Sequence, residues 1–384
     1  MVCQINLCHT TMNWHYVKRK SESDALFTDD NKNGQTICVV ENEELDNIQN
    51  NRDSTNTKNV IRMATNVLRE YANENSILMG DFEQLPKQDL CEKLRTFYAS
   101  LRNKKGEFYS KNSMISIRYG IQRHFRKVRE FDVANDADFK PANLMFNAML
   151  VKLKQLGFAV TVHKPAIAKK DLGKFYNSFD LNSPVGLQNK VFIDFMLYFC
   201  NRGRGNLRTL KKEDFQFFWR NVERYVQRRD HFTKNHRGDT NDDESQGGWL
   251  YPVPGHRLCP IATLQKCLAV LNPKNECFWQ RPKLGVSENQ TVWYDNIPVE
   301  QNTLGAKMKI LSQELELSKM YTNHCLRATT IPLLDENGFE ARHIMSISGH
   351  KSESSIRSYS RIDNVKKRRM SSTLSNIIKE NTGN

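Results

Sequence analysis

Apolar residues recur at three- and four-residue intervals in four consecutive segments between residues 57 and 157. This spacing places them on one face of an α-helix, and such a face must be buried against another element. The four segments are VIRMATNVLREYA, LCEKLRTFYASLR, SMISIRYGIQRHFRKV and ANLMFNAMLVKLKQLGF. We therefore predict an all-helical domain at 57–160. The preceding residues, 1–55, are rich in Asn and Asp and predict a flexible polar leader.

The second half of the chain mixes helical and strand patterns. A linker or connecting element is predicted near 168–178, followed by the strongly apolar helix PVGLQNKVFIDFMLYFCNR. The segments DFQFFWRN, ERYVQRRDHF and WLYPVP are typical of short strands, with a polar turn region before the last. Helical patterns return at PIATLQKCLAVL and TLGAKMKILSQELEL. The predicted fold class is mainly α with a small antiparallel β-sheet (α+β), with a second domain at 180–362 and a basic tail at 363–384.

The charge balance favours a polyanionic partner. Lys and Arg outnumber Asp and Glu by 57 to 43, a formal net charge of +14, which suits nucleic acid or an anionic membrane surface. The sequence lacks an apolar run long enough to span a bilayer and a signal-peptide pattern at its start, so we expect an intracellular protein with no membrane partner. Nine cysteines without a C-x-x-C pair predict reduced thiols, and we predict no metal and no cofactor.

The third predicted helix carries a row of basic residues beside Tyr119 and Phe125. Such a row is often a solvated face, but the clustering of one charge sign next to aromatic rings also suits contact with nucleic-acid phosphates. The residues predicted to bind nucleic acid on this helix are Arg118, Arg123, Arg126 and Lys127.

The most informative stretch is NHCLRATT, followed by SGHKSESSIRSYSRI. With Asn323 as a helix N-cap, His324 and Arg327 lie at i and i+3 on one helix face, and an imidazole beside a guanidinium suits a phosphodiester. His350 follows a glycine, and Tyr359 comes nine residues later. Each residue alone has an ordinary structural explanation, whereas their joint order points to chemistry.

This order resembles the signature of the tyrosine recombinases, the integrase family that includes phage integrases and Xer-type recombinases. Upstream, FCNRGRGNLRTLKKEDF resembles the first box of that family, with Arg202 at the catalytic position in the R-G-R-x-x-L-R version of the eukaryotic Crypton recombinases. Arg204, the second arginine of this motif, is predicted to bind DNA. The segment HFTKNHRG resembles the β-hairpin that presents the catalytic lysine, which implies Lys234.

The resemblance implies a metal-free and ATP-free cut in DNA. Tyr359 attacks phosphorus while His324 accepts its proton, and Lys234 protonates the departing 5′ oxygen, which leaves a 3′-phosphotyrosyl link. Arg202 and Arg327 hold the non-bridging oxygens and stabilise the extra negative charge of the transition state. The remaining catalytic residue, His350, donates a hydrogen bond to the phosphate and helps to fix the tyrosine.

The resemblance also implies partners and alternatives. It predicts a SAM-like core-binding domain that holds double-stranded DNA with the catalytic domain, a homotetramer on two DNA sites, and the recombinase or integrase of a Crypton-like transposon. The KKRR run in the tail suits nuclear import, hence a nuclear location. Three alternatives stay open: a domesticated, catalytically idle DNA-binding protein that keeps the fold, a type IB topoisomerase, although that class generally lacks the first His of the motif, and a pure binding module with no chemistry.

Two features depart from the expected pattern. Many family members carry an acidic residue three or four positions after the first arginine, where this chain has Gly205 and Asn206. Pro332 falls within the predicted helix that follows His324, and it removes one backbone hydrogen bond. The sequence therefore predicts a kinked or interrupted helix there.

Overall fold

The computed structural model describes residues 40–159, 163–203, 206–220, 222–229, 247–287, 289–359 and 364–382. The chain forms two compact units, Met1–Val160 and Thr161–Asn384. In the described part of the first unit the helices are α1 (Asn42–Asn51), α2 (Thr55–Glu74), α3 (Met79–Gln84), α4 (Lys87–Ser100), α5 (Lys111–Val128) and α6 (Lys140–Gln155).

The first unit is built from helices whose apolar faces meet in one core. Helix α2 packs on α5, and α4 packs on α6. Gly120 of α5 allows the first crossing, because a Cβ at that position would lie 2.4 Å from the Cβ of Ala64. The rings of Tyr71 and Phe97 meet edge to face with centroids 5.2 Å apart, an arrangement that adds to the gain from burial.

The second unit mixes helices with two small sheets. Its described helices are α7 (Lys169–Ser178), α8 (Pro184–Tyr198), α9 (Pro260–Val270), α10 (Gln301–Glu314), α11 (Asn323–Glu336), α12 (Ala341–Ser348), α13 (Glu353–Arg357) and α14 (Asn364–Thr382). Its described strands are β1 (Phe215–Arg220), β2 (Glu223–Arg228), β3 (Trp249–Leu250), β4 (Gln280–Pro282) and β5 (Tyr294–Pro298). Strands β1, β2 and β3 form an antiparallel sheet in that order, and β4 pairs with β5.

Helix α8 is the central element of this unit and is buried along most of its length. Its apolar residues pack against α9, α11 and the aromatic residues of the sheets. The helix also buries an ion pair between Lys190 and Asp194. Thr263 lies 2.8 Å from the ammonium of Lys190, and the hydroxyl of Tyr176 donates to Asp194 at 2.9 Å. These extra hydrogen bonds offset part of the cost of burying two charges.

The predicted fold class, mainly α with a small antiparallel sheet, is confirmed. Strands β1 to β3 occupy the three segments with strand patterns, with Phe215 opposite Arg228 and Arg220 opposite Glu223. Among the described residues no helix is both long enough and apolar enough to cross a membrane.

Several local predictions differ from the structure. The segment near 168–178, predicted as a linker or connecting element, is helix α7, and its buried Asp171 accepts hydrogen bonds from Ser318 and Tyr321. Residues 42–51 of the predicted flexible leader form α1. The β4–β5 hairpin was not predicted. Helix α11 continues past Pro332 to Glu336, so the proline does not interrupt it.

Candidate active site

The structure brings together five of the six predicted catalytic residues. His324 and Arg327 lie in the first turns of α11, and Arg202 lies on the loop after α8. His350 follows α12, and Tyr359 follows α13. Lys234, the sixth, and Arg204 of the predicted DNA-binding set lie outside the described residues.

The start of α11 is tied to two other elements through a buried asparagine. The N-cap is Thr322, so the prediction that Asn323 caps this helix is wrong by one position. Asn323 instead donates to the carbonyls of Gly203 at 2.8 Å and Leu304 at 2.7 Å, and its Oδ1 accepts from the Met308 N–H at 3.1 Å. The helix that carries His324 is thereby joined to the loop that carries Arg202.

Gly203 allows this loop to approach α11 closely. A Cβ at Gly203 would lie 3.0 Å from the backbone nitrogen of His324 and 3.3 Å from the Cβ of Asn323. Contacts this short require the neighbouring helix to move. The glycine next to Arg202 therefore sets the spacing between the arginine loop and the histidine helix.

Arg327 is buried, with 3% of its surface exposed, and its guanidinium is held by main-chain carbonyls. It donates to the carbonyl of Cys200 and to the carbonyl of Ser348, each at 2.5 Å. Cys200 has a left-handed φ of 43°, a conformation that costs a non-glycine residue energy and that recurs at functional sites. Because the guanidinium joins α11 to the ends of α8 and α12, its position is fixed before any ligand binds.

His350 is placed by a helix end. Gly349 adopts a left-handed φ of 63°, which terminates α12, and its N–H donates to the carbonyl of Met345 at 2.8 Å. The imidazole lies next to Arg327, whose Nη2 is 3.1 Å from Nδ1 and 3.2 Å from Nε2. The hydroxyl of Ser348 lies 2.7 Å from Nδ1.

Tyr359 is held in place by a small apolar cluster and points its hydroxyl at His324. Ile356, one turn earlier, is buried against Cys200, Ile331 and Ile344, and Tyr359 packs on the same cluster. The Tyr359 hydroxyl lies 3.1 Å from Nε2 of His324. Its ring also lies beside His350, with centroids 5.6 Å apart. The nine-residue spacing in the sequence therefore corresponds to direct side-chain proximity.

The electrostatics of the site are those of an anion site. Burial and the neighbouring Arg327 and Arg202 lower the pKa of His350 to about 4. Burial, Arg327, Lys164 and Arg202 lower the pKa of His324 in the same direction. The pKa of Arg202 is lowered by burial and by Arg327. Clustered cations that disfavour one another's charge are stabilised when an anion such as a phosphate binds between them.

Sequence patterns missed the residues that support this site. Ser348 and the carbonyl of Cys200 make hydrogen bonds to His350 and Arg327. Asn323, predicted only as a cap, instead ties α11 to the carbonyl of Gly203. Lys164, in the segment before α7, adds positive charge near His324. These supporting residues lie near a motif residue or near the boundary between the two units. Small polar side chains and backbone carbonyls, however, form no sequence motif that would identify them in advance.

In the first unit, one of the predicted DNA-binding residues has a structural role. Arg118 of α5 donates to the carbonyl of Ala134 at 3.0 Å and to Asn143 at 2.8 Å, and its guanidinium lies 4.6 Å from the ring centre of Phe146. These contacts hold α5 to the loop before α6 and to α6 itself.

The other three predicted DNA-binding residues of α5 are exposed. Arg123 pairs with Asp53 at 2.8 Å, and Arg126 pairs with Asp132. The Arg123–Asp53 pair is exposed on both sides and contributes little stability, so its guanidinium can exchange the carboxylate for a phosphate. The Asp132 carboxylate is mostly buried and also accepts from Gln122 and Asn135. Lys127 is exposed as well. Contact of these three residues with DNA stays a prediction.

In sequence the chain matches no family model and no curated protein. In structure it is similar to XerA recombinase, with 15% identity and a TM-score of 0.35 over 86% of this chain and 95% of that one. It is also similar to XerH site-specific recombinase bound to palindromic difH substrate, with 17% identity and a TM-score of 0.44 over 76% and 72% of the two chains. The Tn1549 transposon integrase in complex with transposon right end DNA has 13% identity and a TM-score of 0.46 over 86% and 98%.

Proposed function

We propose that this chain is a tyrosine recombinase that cuts and rejoins DNA through a covalent bond between phosphorus and the hydroxyl of Tyr359. The observation that carries the proposal is the 3.1 Å contact between that hydroxyl and Nε2 of His324, beside the anchored guanidinium of Arg327. A nucleophile within hydrogen-bond reach of a base, next to fixed cations, is the arrangement that phosphoryl transfer to a side chain requires.

In the first step Tyr359 attacks phosphorus. A protonated phenol is a weak nucleophile, so its proton must leave as the new O–P bond forms. The lowered pKa of His324 keeps the ring neutral at pH 7, and the ring can then accept this proton at Nε2. The P–O5′ bond breaks in the same step.

The cationic groups stabilise the phosphorane-like transition state. A guanidinium has five N–H donors, and the two hydrogen bonds from Arg327 to carbonyls leave others to bind a non-bridging oxygen. Arg202 lies close enough to Tyr359 and Arg327 to interact with both electrostatically. Donors that are fixed in advance are most effective where negative charge develops.

We assign the protonation of the leaving group to Lys234, because its segment, HFTKNHRG, resembles the hairpin that carries the catalytic lysine of the tyrosine recombinases. Its ammonium would protonate the 5′ oxygen as that bond breaks, giving a 3′-phosphotyrosyl link and a free 5′ hydroxyl. Because the phosphotyrosyl link retains the energy of the original ester, reversal by another 5′ hydroxyl rejoins the strands without ATP.

Finer aspects of the proposal come from sequence motifs and composition. The R-G-R-x-x-L-R motif at Arg202 supports a Crypton-like transposon recombinase, and the net charge of +14 supports double-stranded DNA as substrate. The KKRR run supports a nuclear location. A homotetramer on two DNA sites completes the proposed reaction, because exchange of two duplexes requires four strand cuts.

The direct test is covalent trapping on DNA. The full chain is incubated with nicked suicide duplexes, whose short 5′-hydroxyl product diffuses away, and the products are separated on a denaturing gel. We expect a DNA-linked protein band that Tyr359→Phe abolishes. Tyr251→Phe is the matched control, because it removes a tyrosine hydroxyl elsewhere in the same unit and should leave the band unchanged. Tyr251 lies in the aromatic stack of the three-stranded sheet, with its ring centre 5.7 Å from that of Tyr225, and phenylalanine keeps that ring.

The outcomes separate the competing functions. DNA binding without an adduct across a broad set of substrates would support the domesticated, catalytically idle protein. An adduct accompanied by relaxation of supercoiled plasmid but by no recombinant product would support a type IB topoisomerase. Formation of recombinants between two sites supports the recombinase.

A further inference from the structure

Ser348 makes contacts with two catalytic groups at once. It is buried, with 5% of its surface exposed, at the end of α12. Its carbonyl accepts from Nη2 of Arg327 at 2.5 Å, and its hydroxyl lies 2.7 Å from Nδ1 of His350. The sequence motif contains the two residues that follow, Gly349 and His350, but not Ser348.

The direction of the hydroxyl hydrogen bond follows from burial. Within the described part of the chain, Nδ1 of His350 is the hydrogen-bond partner of the Ser348 hydroxyl. A buried hydroxyl hydrogen needs an acceptor, and Nδ1 can accept only if it carries no proton. The serine therefore donates, and the imidazole proton resides on Nε2.

The contact with Arg327 does not compete with this assignment. Its Nη2 lies 3.1 Å from Nδ1 and 3.2 Å from Nε2. A donor at nearly equal distances from both ring nitrogens cannot lie along the lone-pair axis of either one, so the guanidinium lies against the ring face. Nδ1 is thus left to accept from the serine hydroxyl, 2.7 Å away.

We propose that Ser348 is a positioning residue that holds His350 in the tautomer with its proton on Nε2. The role of this tautomer in catalysis rests on the proposed function. In that function Nε2–H is the group through which His350 donates a hydrogen bond to a phosphate oxygen. A neutral imidazole has a single N–H. In the opposite tautomer that proton would be directed at Ser348, and the ring would present a lone pair to the phosphate.

The charges around His350 make this tautomer choice matter. The ring faces Arg327 and His324 of α11, Arg202 of the loop after α8, and Tyr359 after α13. Burial and the two arginines lower its pKa to about 4, so a second proton does not supply a donor at neutral pH. Orientation by the serine hydroxyl is the remaining way to present an N–H to the substrate.

The test is nuclear magnetic resonance of the full chain labelled with ¹⁵N-histidine, without DNA. The signals of His350 are assigned from their disappearance in His350→Gln. At pH 7 we expect a non-protonated Nδ1 and a protonated Nε2. A protonated Nδ1 would overturn the proposal, and this measurement requires no substitution at position 348.

Variants extend the test. Ser348→Ala should populate both tautomers and raise the titration midpoint of His350 by up to about one pH unit, since it removes one hydrogen bond to the neutral ring. Ser348→Thr should keep the wild-type tautomer and midpoint. Ser346→Ala is the matched control, because Ser346 lies on the same helix but donates to the carbonyl of His343. An unchanged tautomer and midpoint in Ser348→Ala would contradict the proposal.

Cleavage assays connect the tautomer to catalysis. On suicide DNA, Ser348→Ala should lower the rate constant of adduct formation on the order of fivefold, as expected for one hydrogen bond, and Ser348→Thr should restore it. If the wild-type chain forms no adduct, the proposed function fails while the tautomer result stands. If adducts form but His350 carries its proton on Nδ1, the tautomer proposal fails and the proposed function stands.

Discussion

Replacing Arg327 by methionine should unfold the second unit at a lower denaturant concentration. The substitution leaves the buried carbonyls of Cys200 and Ser348 without the guanidinium donor. Hydrogen bonds to a charged donor contribute about 1.5–3 kcal/mol each, so the loss is roughly 3–6 kcal/mol before compensation. Relief of repulsion with Arg202 and loss of the buried charge offset part of it. We expect a net decrease of about 3 kcal/mol in the free energy of unfolding.

Tryptophan fluorescence during urea unfolding measures this decrease in the full chain. Four of the five tryptophans lie in the unit Thr161–Asn384, so the signal reports mainly on the unit that contains Arg327. Arg327→Lys should lose about half as much as Arg327→Met, because an ammonium can bind one of the two carbonyls. Arg281→Gln is the control: it breaks an exposed pair with Asp295 and should cost less than about 0.5 kcal/mol.

A free energy of unfolding of Arg327→Met within about 0.5 kcal/mol of the wild-type value would contradict this prediction. It would show that the two carbonyls find other partners at no cost. In that case the position of the guanidinium is not determined by the ends of α8 and α12. Equal stabilities of the lysine and methionine variants would contradict the assignment of the loss to hydrogen bonds, since the two variants differ in whether they offer a donor.

Three further predictions concern the neighbouring groups. Gly203→Ala pushes a Cβ against His324 and should slow adduct formation on gels about tenfold, whereas Gly173→Ala, with nothing within 4 Å, should not. The pKa of His350 is lowered to about 4, so the stability contributed by this group is complete well above pH 6.5 and falls by about 1–2 kcal/mol, discounted for solvent screening, as the pH drops to 4. Urea midpoints should show this loss, and His350→Gln should reduce it by that amount while leaving the part due to His324. Lys234→Ala should block cleavage of ordinary DNA, but a 5′-phosphorothiolate substrate, whose leaving group needs no proton, should restore it; equal defects on both substrates would contradict the assigned role.

The sequence predicted the central contacts of the site better than their supports. The i and i+3 spacing of His324 and Arg327 places both on one helix face, and the resemblance to the tyrosine recombinases added His350 and Tyr359 to the same predicted cluster. Ser348 could not be predicted in the same way. A serine before a glycine is common at helix ends, and its importance depends on which side chain the following turn places beside it.

The partners of the basic residues on α5 could not be predicted from the sequence pattern either. Periodicity indicates which residues share a helix face, but it does not identify their partners on other segments. Arg118 contacts Asn143 on α6, and Arg123 contacts Asp53, seventy residues away. Likewise Pro332 carries a strong helix-breaking signal, yet α11 continues through it because tertiary packing outweighs the loss of one backbone hydrogen bond.

The main-chain anchors of Arg327 have a consequence for how the protein responds to salt and to anions. A carboxylate in their place would have cancelled the positive charge of the guanidinium, whereas a carbonyl dipole restrains its orientation and leaves the charge intact. The Arg327 guanidinium therefore keeps a full positive charge that an anion can bind. Small oxyanions such as sulfate should compete with DNA for this guanidinium. Binding of a DNA phosphate should neutralise the charge of Arg327, which the described part of the folded chain leaves without a carboxylate partner.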